Sequence, residues 1–273
     1  MTMNPSKLKQ HALAATLAGF ALTSLPAAAE SAAGDQWAFT VTPYLWLPTI
    51  NGTLKFQLPN LNASAGVEAG PNDYLENLDL ALMVSGEARK GKWSIFTDVI
   101  YLDFSDEVGR VDTVNGVPVP PSIDLGTQAS LTGGVWTLVG GYAAVQEPGA
   151  TLDVIGGFRY LDIEASADWT LSGPLGLLPP TGSVSQSKGL WDAVVGVRGQ
   201  VKLGDGNWSM PYYADIGSGQ SSVTWQAMVG VAYSWNWGDL GLVYRHLAYD
   251  MDGDKLLQDV DFSGPALGAT FRF

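Results

Sequence analysis

The last ten residues, Gly264–Phe273 (GPALGATFRF), decide the fold. One face of this stretch carries Leu267, Ala269, Phe271 and Phe273, and the other carries Gly268, Thr270 and Arg272. Side chains that alternate with period two are typical of a β-strand. A final strand with one apolar face and a terminal aromatic residue is typical of bacterial outer-membrane β-barrels, whose lipid-facing residues alternate with lumen-facing ones. We therefore expect Phe271 and Phe273 to act as an assembly signal on the closing strand.

The other end of the chain resembles an export signal. Met1–Ala29 has a basic start, an apolar run over Ala12–Leu25 and the A-x-A pattern Ala27–Ala29, which together predict cleavage after Ala29. The remaining residues, 30–273, have a length that suits one domain or one barrel. The sequence thus predicts a signal peptide over 1–29 and a barrel over 30–273.

Composition narrows the class of protein further. Two of the 14 Lys and Arg residues lie in the signal segment, so 12 remain against 27 Asp and Glu, a formal net charge of −15. This charge argues against a nucleic-acid partner, and the lack of cysteine excludes disulfides and thiol chemistry. Beyond the signal segment no run of 18 apolar residues occurs, and a chain without one spans a membrane only as a closed barrel.

Alternation divides the mature chain into ten strands joined by connections of unequal length. Short turns are expected at Arg89–Trp93, Gln146–Ala150, Leu203–Trp208 and Trp235–Leu240, and longer connections at Asn51–Asp79, Ser105–Asp124, Ser166–Lys188 and Asp250–Asp261. Short turns at one end and longer loops at the other are typical of a transmembrane antiparallel up-and-down barrel. Asn51-Gly52 is a hairpin signal that would fold Thr53–Leu58 back as an additional strand. The prediction is ten strands, or twelve if this additional strand forms and a long connection contains another.

Charged side chains of both signs collect on the faces that should point inward. This predicted lumen charge network comprises Glu87, Arg89, Asp98, Asp153, Arg159, Asp192, Arg198, Asp215 and Arg245. In a narrow barrel such charges either pair and fill the lumen or form a charged constriction that selects solutes. We expect pairing, because an unpaired buried charge is costly.

The mature chain has a single histidine, His246, and therefore little capacity for hydrolysis. Its position in the alternation predicts that the ring faces outward at the membrane boundary. A Ser-His or Asp-His site would require Ser263 or Asp250 close by. No catalytic residues are expected, and the alternative is an outer-membrane hydrolase of lipid or peptide that uses His246.

Asp250, Asp252 and Asp254 have the spacing of the first ligands of a calcium loop. The pattern then fails, because Lys255 occupies the position where the loop requires glycine. We therefore expect no bound metal and no cofactor, and these three residues are the one candidate for a surface cation site.

Four segments of the sequence resemble uncharacterised proteobacterial outer-membrane β-barrel proteins of porin-like type. They are Thr42–Pro48 (TPYLWLP), Asn77–Trp93 (NLDLALMVSGEARKGKW), Gly157–Glu164 (GFRYLDIE) and Gly264–Phe273 (GPALGATFRF). The resemblance runs over nearly the whole mature chain. It implies a barrel in the bacterial outer membrane and brings no catalytic residues.

The sequence thus predicts a monomeric barrel that is not an enzyme and that forms a narrow porin-like channel or a structural barrel of the envelope. Expected partners are outer-membrane lipid, lipopolysaccharide and the barrel assembly machinery. A second alternative to the channel is an adhesion or ligand-binding barrel that acts through its extracellular loops.

Overall fold

A computed structural model of the chain describes residues 36–58, 61–74, 78–104, 110–114, 117–118, 125–171, 181–251 and 257–273. The predicted signal peptide lies outside these residues, as do Asp252 and Asp254. Among the residues described, no helix is long and apolar enough to cross a membrane.

The structure is built almost entirely of antiparallel strands. In chain order the elements are β1 Trp37–Trp46, β2 Thr49–Leu58, β3 Leu61–Ala69, α1 Pro71–Tyr74, β4 Leu78–Lys90, β5 Trp93–Phe104, β6 Arg110–Val114, β7 Val117–Pro118, β8 Leu125–Glu147, β9 Ala150–Leu171, β10 Thr181–Lys202, β11 Trp208–Gly219, β12 Val223–Trp235, β13 Gly238–Asp250 and β14 Leu257–Arg272. Ten of them, β1, β4, β5 and β8 to β14, pair in sequence around a ring. The ring closes where β1 pairs with β14, as in Thr40 opposite Arg272, so the predicted ten-stranded barrel is confirmed.

The two ends of the barrel differ in their connections. At one end, which we call the turn end, tight turns join β4 to β5, β8 to β9, β10 to β11 and β12 to β13. Gly91 takes the left-handed conformation that the first of these turns requires. Both termini of the barrel lie here, because Phe273 exchanges two backbone hydrogen bonds with Phe39. The opposite end, the loop end, carries the longer connections.

At the loop end the sheet continues beyond the closed ring. The first half of β14 pairs with β2, which pairs with β3, which in turn pairs with β6. The predicted hairpin at Asn51-Gly52 is wrong, since both residues lie inside β2. Glycine is needed at position 52 for a different reason: a Cβ there would lie 2.9 Å from the backbone oxygen of Asp259 on the paired strand.

The predicted long connection Ser166–Lys188 is also mostly strand. β9 runs to Leu171 and β10 begins at Thr181, and their ladder is continuous from there to the turn end. Residues 181–188 contain a single large apolar residue, Val184, so this part of β10 lacks the apolar face that indicates a strand in the rest of the sequence.

The outward face of the barrel is an apolar band bounded by aromatic side chains. On β12, Val229 and Val231 are exposed between Trp225 and Trp235, which are 42% and 44% exposed. Ten residue steps along a tilted strand correspond to about 25 Å along the barrel axis, the height of the apolar band of membrane barrels. At the turn end the aromatic girdle contains Trp37, Phe39, Trp93, Tyr142, Trp208, Trp235, Trp237, Phe271 and Phe273.

Candidate functional site

The lumen gathers all nine residues of the predicted charge network. Six of them, Glu87, Arg89, Asp98, Asp153, Arg198 and Arg245, line one cavity, and Arg159, Asp192 and Asp215 are buried nearer the loop end. They come from β4, β5, β9, β10, β11 and β13, and they meet because the inward position recurs at every second residue of each strand.

The layer nearest the turn end is a chain of alternating charges. Arg89 contacts Glu87 at 2.8 Å and also pairs with Asp153. The second oxygen of Glu87 accepts a hydrogen bond of 2.7 Å from Arg198 Nη2. The guanidinium of Arg198 also lies over the Phe96 ring, 4.1 Å from its centroid. Because one carboxylate bridges two guanidinium groups, this layer is a connected network of ion pairs.

A second layer lies around Arg245, whose two terminal nitrogens both have hydrogen-bond partners. Its Nη2 donates to Asp98 Oδ2 and to Gln226 Oε1, both at 2.7 Å, while Nη1 donates to the hydroxyl of Tyr44 at 3.0 Å. Tyr44 in turn donates to the other oxygen of Asp98 at 2.6 Å. The planar guanidinium packs 4.8 Å from the centroid of the Trp46 ring.

A third group surrounds Arg159, whose side chain is fully buried. It pairs with Asp215, whose side chain is also 0% exposed, and donates to Thr137 and Thr224 at 3.2 Å each. Tyr213 donates a second hydrogen bond to Asp215, at 2.6 Å. Two buried charges held in this way exclude water from the centre of the lumen.

Asp192 is the one member of the predicted network that the structure does not place in an ion pair, among the residues described. It is buried, and its Oδ1 accepts a hydrogen bond of 2.8 Å from the backbone N–H of Ser221. Asp192 therefore anchors the short turn between β11 and β12 at the loop end.

Above these layers the lumen changes from polar to apolar. The loop-end cluster consists of the inward side chains Trp46, Ile50, Met83, Ile100, Val135, Leu161, Ile163, Leu190, Leu247, Tyr249, Met251, Val260 and Ala266. Leu247 is 0% exposed and Leu190 is 1% exposed, so the cluster is packed as a core. On β9 the outward residues at this level, Asp162 and Glu164, are exposed.

The charged layer nearest the turn end surrounds a cavity of about 440 Å³. Its lining reaches the turn end at Ala38, Gln146 and Arg272, and extends upward to Arg245 and Tyr44. The lumen is thus a vestibule that begins at the turn end and stops at the Arg245 layer, beneath the loop-end cluster.

His246 lies outside this lumen, on the outward face. Its Nδ1 and the hydroxyl of Ser263 are 2.5 Å apart, and its ring stacks on Trp225 with centroids 4.4 Å apart. Asp250 is directly opposite Asp259 on the paired strand. Within the part of the chain that the structure describes, no group of three or more His, Cys, Asp or Glu side chains is placed to hold a metal ion.

Sequence reasoning missed the polar partners and the loop-end cluster. Tyr44, Tyr213, Gln226, Thr137 and Thr224 complete the hydrogen bonds of the arginines. Their inward parity was visible in the sequence, but their partners lie across the barrel on distant strands. The apolar inward residues, by contrast, were detectable in the sequence, because the apolar side chains of β9 change from the outward face to the inward face along the strand.

Comparison with known proteins shows no family and no activity for the chain. No protein-family model and no curated protein sequence matches the chain. Solved structures similar to it include the outer membrane protease OmpT of Escherichia coli, with 9% identity, a TM-score of 0.46 and coverage of 87% of this chain and 97% of that chain. Others are the translocator domain of the autotransporter NalP of Neisseria meningitidis (16% identity, TM-score 0.40, coverage 88% and 89%) and the attachment invasion locus protein Ail of Yersinia pestis (11%, 0.33, 88% and 99%). At these identities the similarity does not assign the activity of any of these proteins to this chain.

Proposed function

We propose that the chain is a narrow, porin-like barrel of the bacterial outer membrane, closed at rest by its own side chains. In this proposal the turn end faces the periplasm, the loop end faces outward and residues 1–29 are removed on export. The apolar band of about 25 Å between aromatic girdles supports this placement. We also propose that the chain belongs to the uncharacterised proteobacterial barrels that it resembles, and that it works as a monomer.

The observation that carries the proposal is the filling of the lumen above the vestibule. Arg245 with Asp98, and Arg159 with Asp215, cross the interior, and the loop-end cluster closes what lies beyond. A ten-stranded barrel is only slightly wider than an eight-stranded one, whose interior is already filled by side chains. Ions that enter the vestibule from the periplasm therefore meet a packed, dehydrated segment.

Trp46→Ala should open this segment, because the Trp46 ring is 2% exposed and lies between the Arg245 layer and the loop-end cluster. In planar bilayers we expect little or no conductance from the unmodified barrel and a several-fold larger, cation-preferring conductance from the variant. The −15 net charge raises the local concentration of cations at the mouth. Trp37→Ala is the matched control, since Trp37 lies on the same strand, faces outward and is 54% exposed.

Trp46→Ala removes a buried aromatic ring at a cost of roughly 3–5 kcal/mol, so Leu247→Ala serves as a second opening variant at about 2–5 kcal/mol. A large steady conductance from the unmodified barrel would contradict the closed lumen. So would unchanged conductance in both variants while they remain folded.

We propose further that the protein is not a hydrolase. The contacts of His246 support this, because Nδ1 faces Ser263 while Asp261 is approached by Ser263 at 3.4 Å, so the carboxylate does not orient the imidazole. His246 and Ser263 lie opposite each other in the ladder of β13 and β14. Because the ladder uses the backbone N–H groups of these strands, those groups are not available to stabilise an oxyanion.

We expect no release of fatty acid from phospholipid or lipid A and no cleavage of peptide by the purified barrel, with or without His246→Ala. Fatty-acid release and peptide cleavage are both measurable on the reconstituted protein. Activity that disappears in His246→Ala, and equally in Ser263→Ala, would establish the hydrolase instead. The loop-borne adhesin stays a prediction, since residues 105–109, 119–124 and 172–180 lie outside those described.

A further inference from the structure

A line of polar side chains crosses the outward face at the loop end, directly above the apolar residues Leu242 and Tyr244 of β13. It runs over three neighbouring strands, from His246 on β13 through Ser263 and Asp261 on β14 to Asn51 on β2. Ser263 and Asn51 each approach Asp261 Oδ1 at 3.4 Å. Together with Trp225, which stacks on His246, we call these five residues the loop-end shelf.

The position of the shelf along the barrel axis determines which region of the membrane surrounds it. Leu242 and Tyr244 precede His246 on the same outward face and are 52% and 56% exposed, as expected of a lipid contact. Trp225 marks the upper edge of the apolar band. Polar groups that face hydrocarbon without partners cost several kcal/mol, so the shelf lies in the headgroup region, where Trp and His rings are well accommodated.

The chemistry of the shelf favours uncharged hydroxyl groups over phosphate. On β12 to β14 the two arginines are placed elsewhere, with Arg245 in the lumen and Arg272 at the turn end, so no guanidinium faces outward here. The shelf instead offers a carboxylate, an amide, a hydroxyl and an imidazole beside a half-exposed aromatic ring. Such groups hydrogen-bond pairs of sugar hydroxyls while the ring stacks on the C–H face of the sugar.

We propose that the loop-end shelf binds the saccharide headgroup of a glycolipid in the outer leaflet. This inference rests on the proposed outer-membrane placement, with the loop end outward, and is independent of whether the lumen conducts. Trp225 and His246 form the stacking surface, and Asn51, Ser263 and Asp261 supply the polar contacts. The shelf is continuous with the aromatic boundary of the membrane, so a glycolipid reaches it without leaving the bilayer.

The test compares the thermal unfolding of the mature barrel in two kinds of vesicle, phosphatidylglycerol–phosphatidylethanolamine alone and the same lipids with lipopolysaccharide. We expect lipopolysaccharide to raise the unfolding midpoint of the unmodified barrel, and Trp225→Leu to lose more than half of that rise. Trp235→Leu is the matched control, because Trp235 lies on the same strand and outward face with nearly the same exposure, but at the turn end. It should keep the full rise.

Asn51→Ala is a second variant that leaves the aromatic pair intact, and it should also reduce the rise. The proposal is overturned if lipopolysaccharide gives the unmodified barrel no rise, or if Trp225→Leu and Asn51→Ala both keep it. It is equally overturned if chelation with EDTA or dephosphorylation of the lipopolysaccharide abolishes the rise, since recognition would then run through bridging cations and phosphate. A large steady conductance from the unmodified barrel, together with a retained, Trp225-dependent rise in the unfolding midpoint, would overturn the closed-channel proposal alone.

Discussion

Arg159→Leu should destabilise the barrel by roughly 3–5 kcal/mol, the cost of removing one partner of a well-buried ion pair. The side chains of Arg159 and Asp215 are both 0% exposed, and Arg159 also satisfies Thr137 and Thr224. Leucine would leave the Asp215 carboxylate without a cation in a water-excluded lumen. Equilibrium unfolding by guanidinium in detergent micelles measures the loss.

Two comparisons isolate the buried charge as the cause. Arg272→Leu breaks an ion pair with Asp239 in which the arginine is 49% exposed, so we expect about 1 kcal/mol or less. The double variant Arg159→Leu/Asp215→Leu should recover much of the stability, because replacing both partners leaves no uncompensated charge. Arg159→Leu with unmodified stability would show that the pair contributes nothing to the fold.

Deleting Phe271–Phe273 should lower the equilibrium constant for folding by about a hundredfold or more. These residues hold β14 to both neighbours: Phe271 is opposite Val41 on β1 and Gly238 on β13, and Phe273 exchanges two backbone hydrogen bonds with Phe39. At about 1 kcal/mol for each hydrogen bond, three lost bonds already amount to that factor. The heat-modifiable band on unboiled gels reports the folded fraction.

A matched variant separates the backbone from the aromatic side chains. Phe271→Ala/Phe273→Ala keeps the ladder, so it should refold in detergent almost as the unmodified chain does, while it accumulates poorly in cells if the aromatics are the assembly signal. If the deleted chain refolds and accumulates normally, closure through β14 is not required.

The barrel was predictable from the sequence because a lipid-facing strand has an unambiguous pattern. On β12, Trp225, Val229 and Val231 face outward and Thr224 and Gln226 inward, as the alternation predicts. The strand number followed from the same pattern, and the inward parity of the charges placed them together in the lumen. The alternation could not predict how deeply each inward charge is buried. Arg159 and Arg198 occupy equivalent inward positions in the sequence, yet their side chains are 0% and 19% exposed.

The loop-end half was less predictable because its surroundings change. Beyond the apolar band water lies outside, so Asp162 faces outward and Leu161 and Ile163 face inward, the reverse of Val154 and Asp153 on the same strand. The pattern that places charged residues in the lumen therefore does not extend to this end, where the structure has an apolar cluster. The hairpin prediction at Asn51-Gly52 was wrong because glycine is required both in tight turns and where a neighbouring strand approaches closely.

The girdle spacing on β12 has a mechanical consequence for the surrounding bilayer. The apolar belt is a few ångströms shorter than the roughly 30 Å hydrocarbon core of an ordinary membrane. The barrel cannot sink to relieve this hydrophobic mismatch, because exposed carboxylates such as Asp162 and Glu164 lie directly above the belt. In a bilayer thicker than the belt the lipids must thin around the barrel, and two copies that share one thinned annulus deform less membrane than two apart. Bilayer elasticity thus favours clustering of these barrels in thick membranes without any contact between their surfaces.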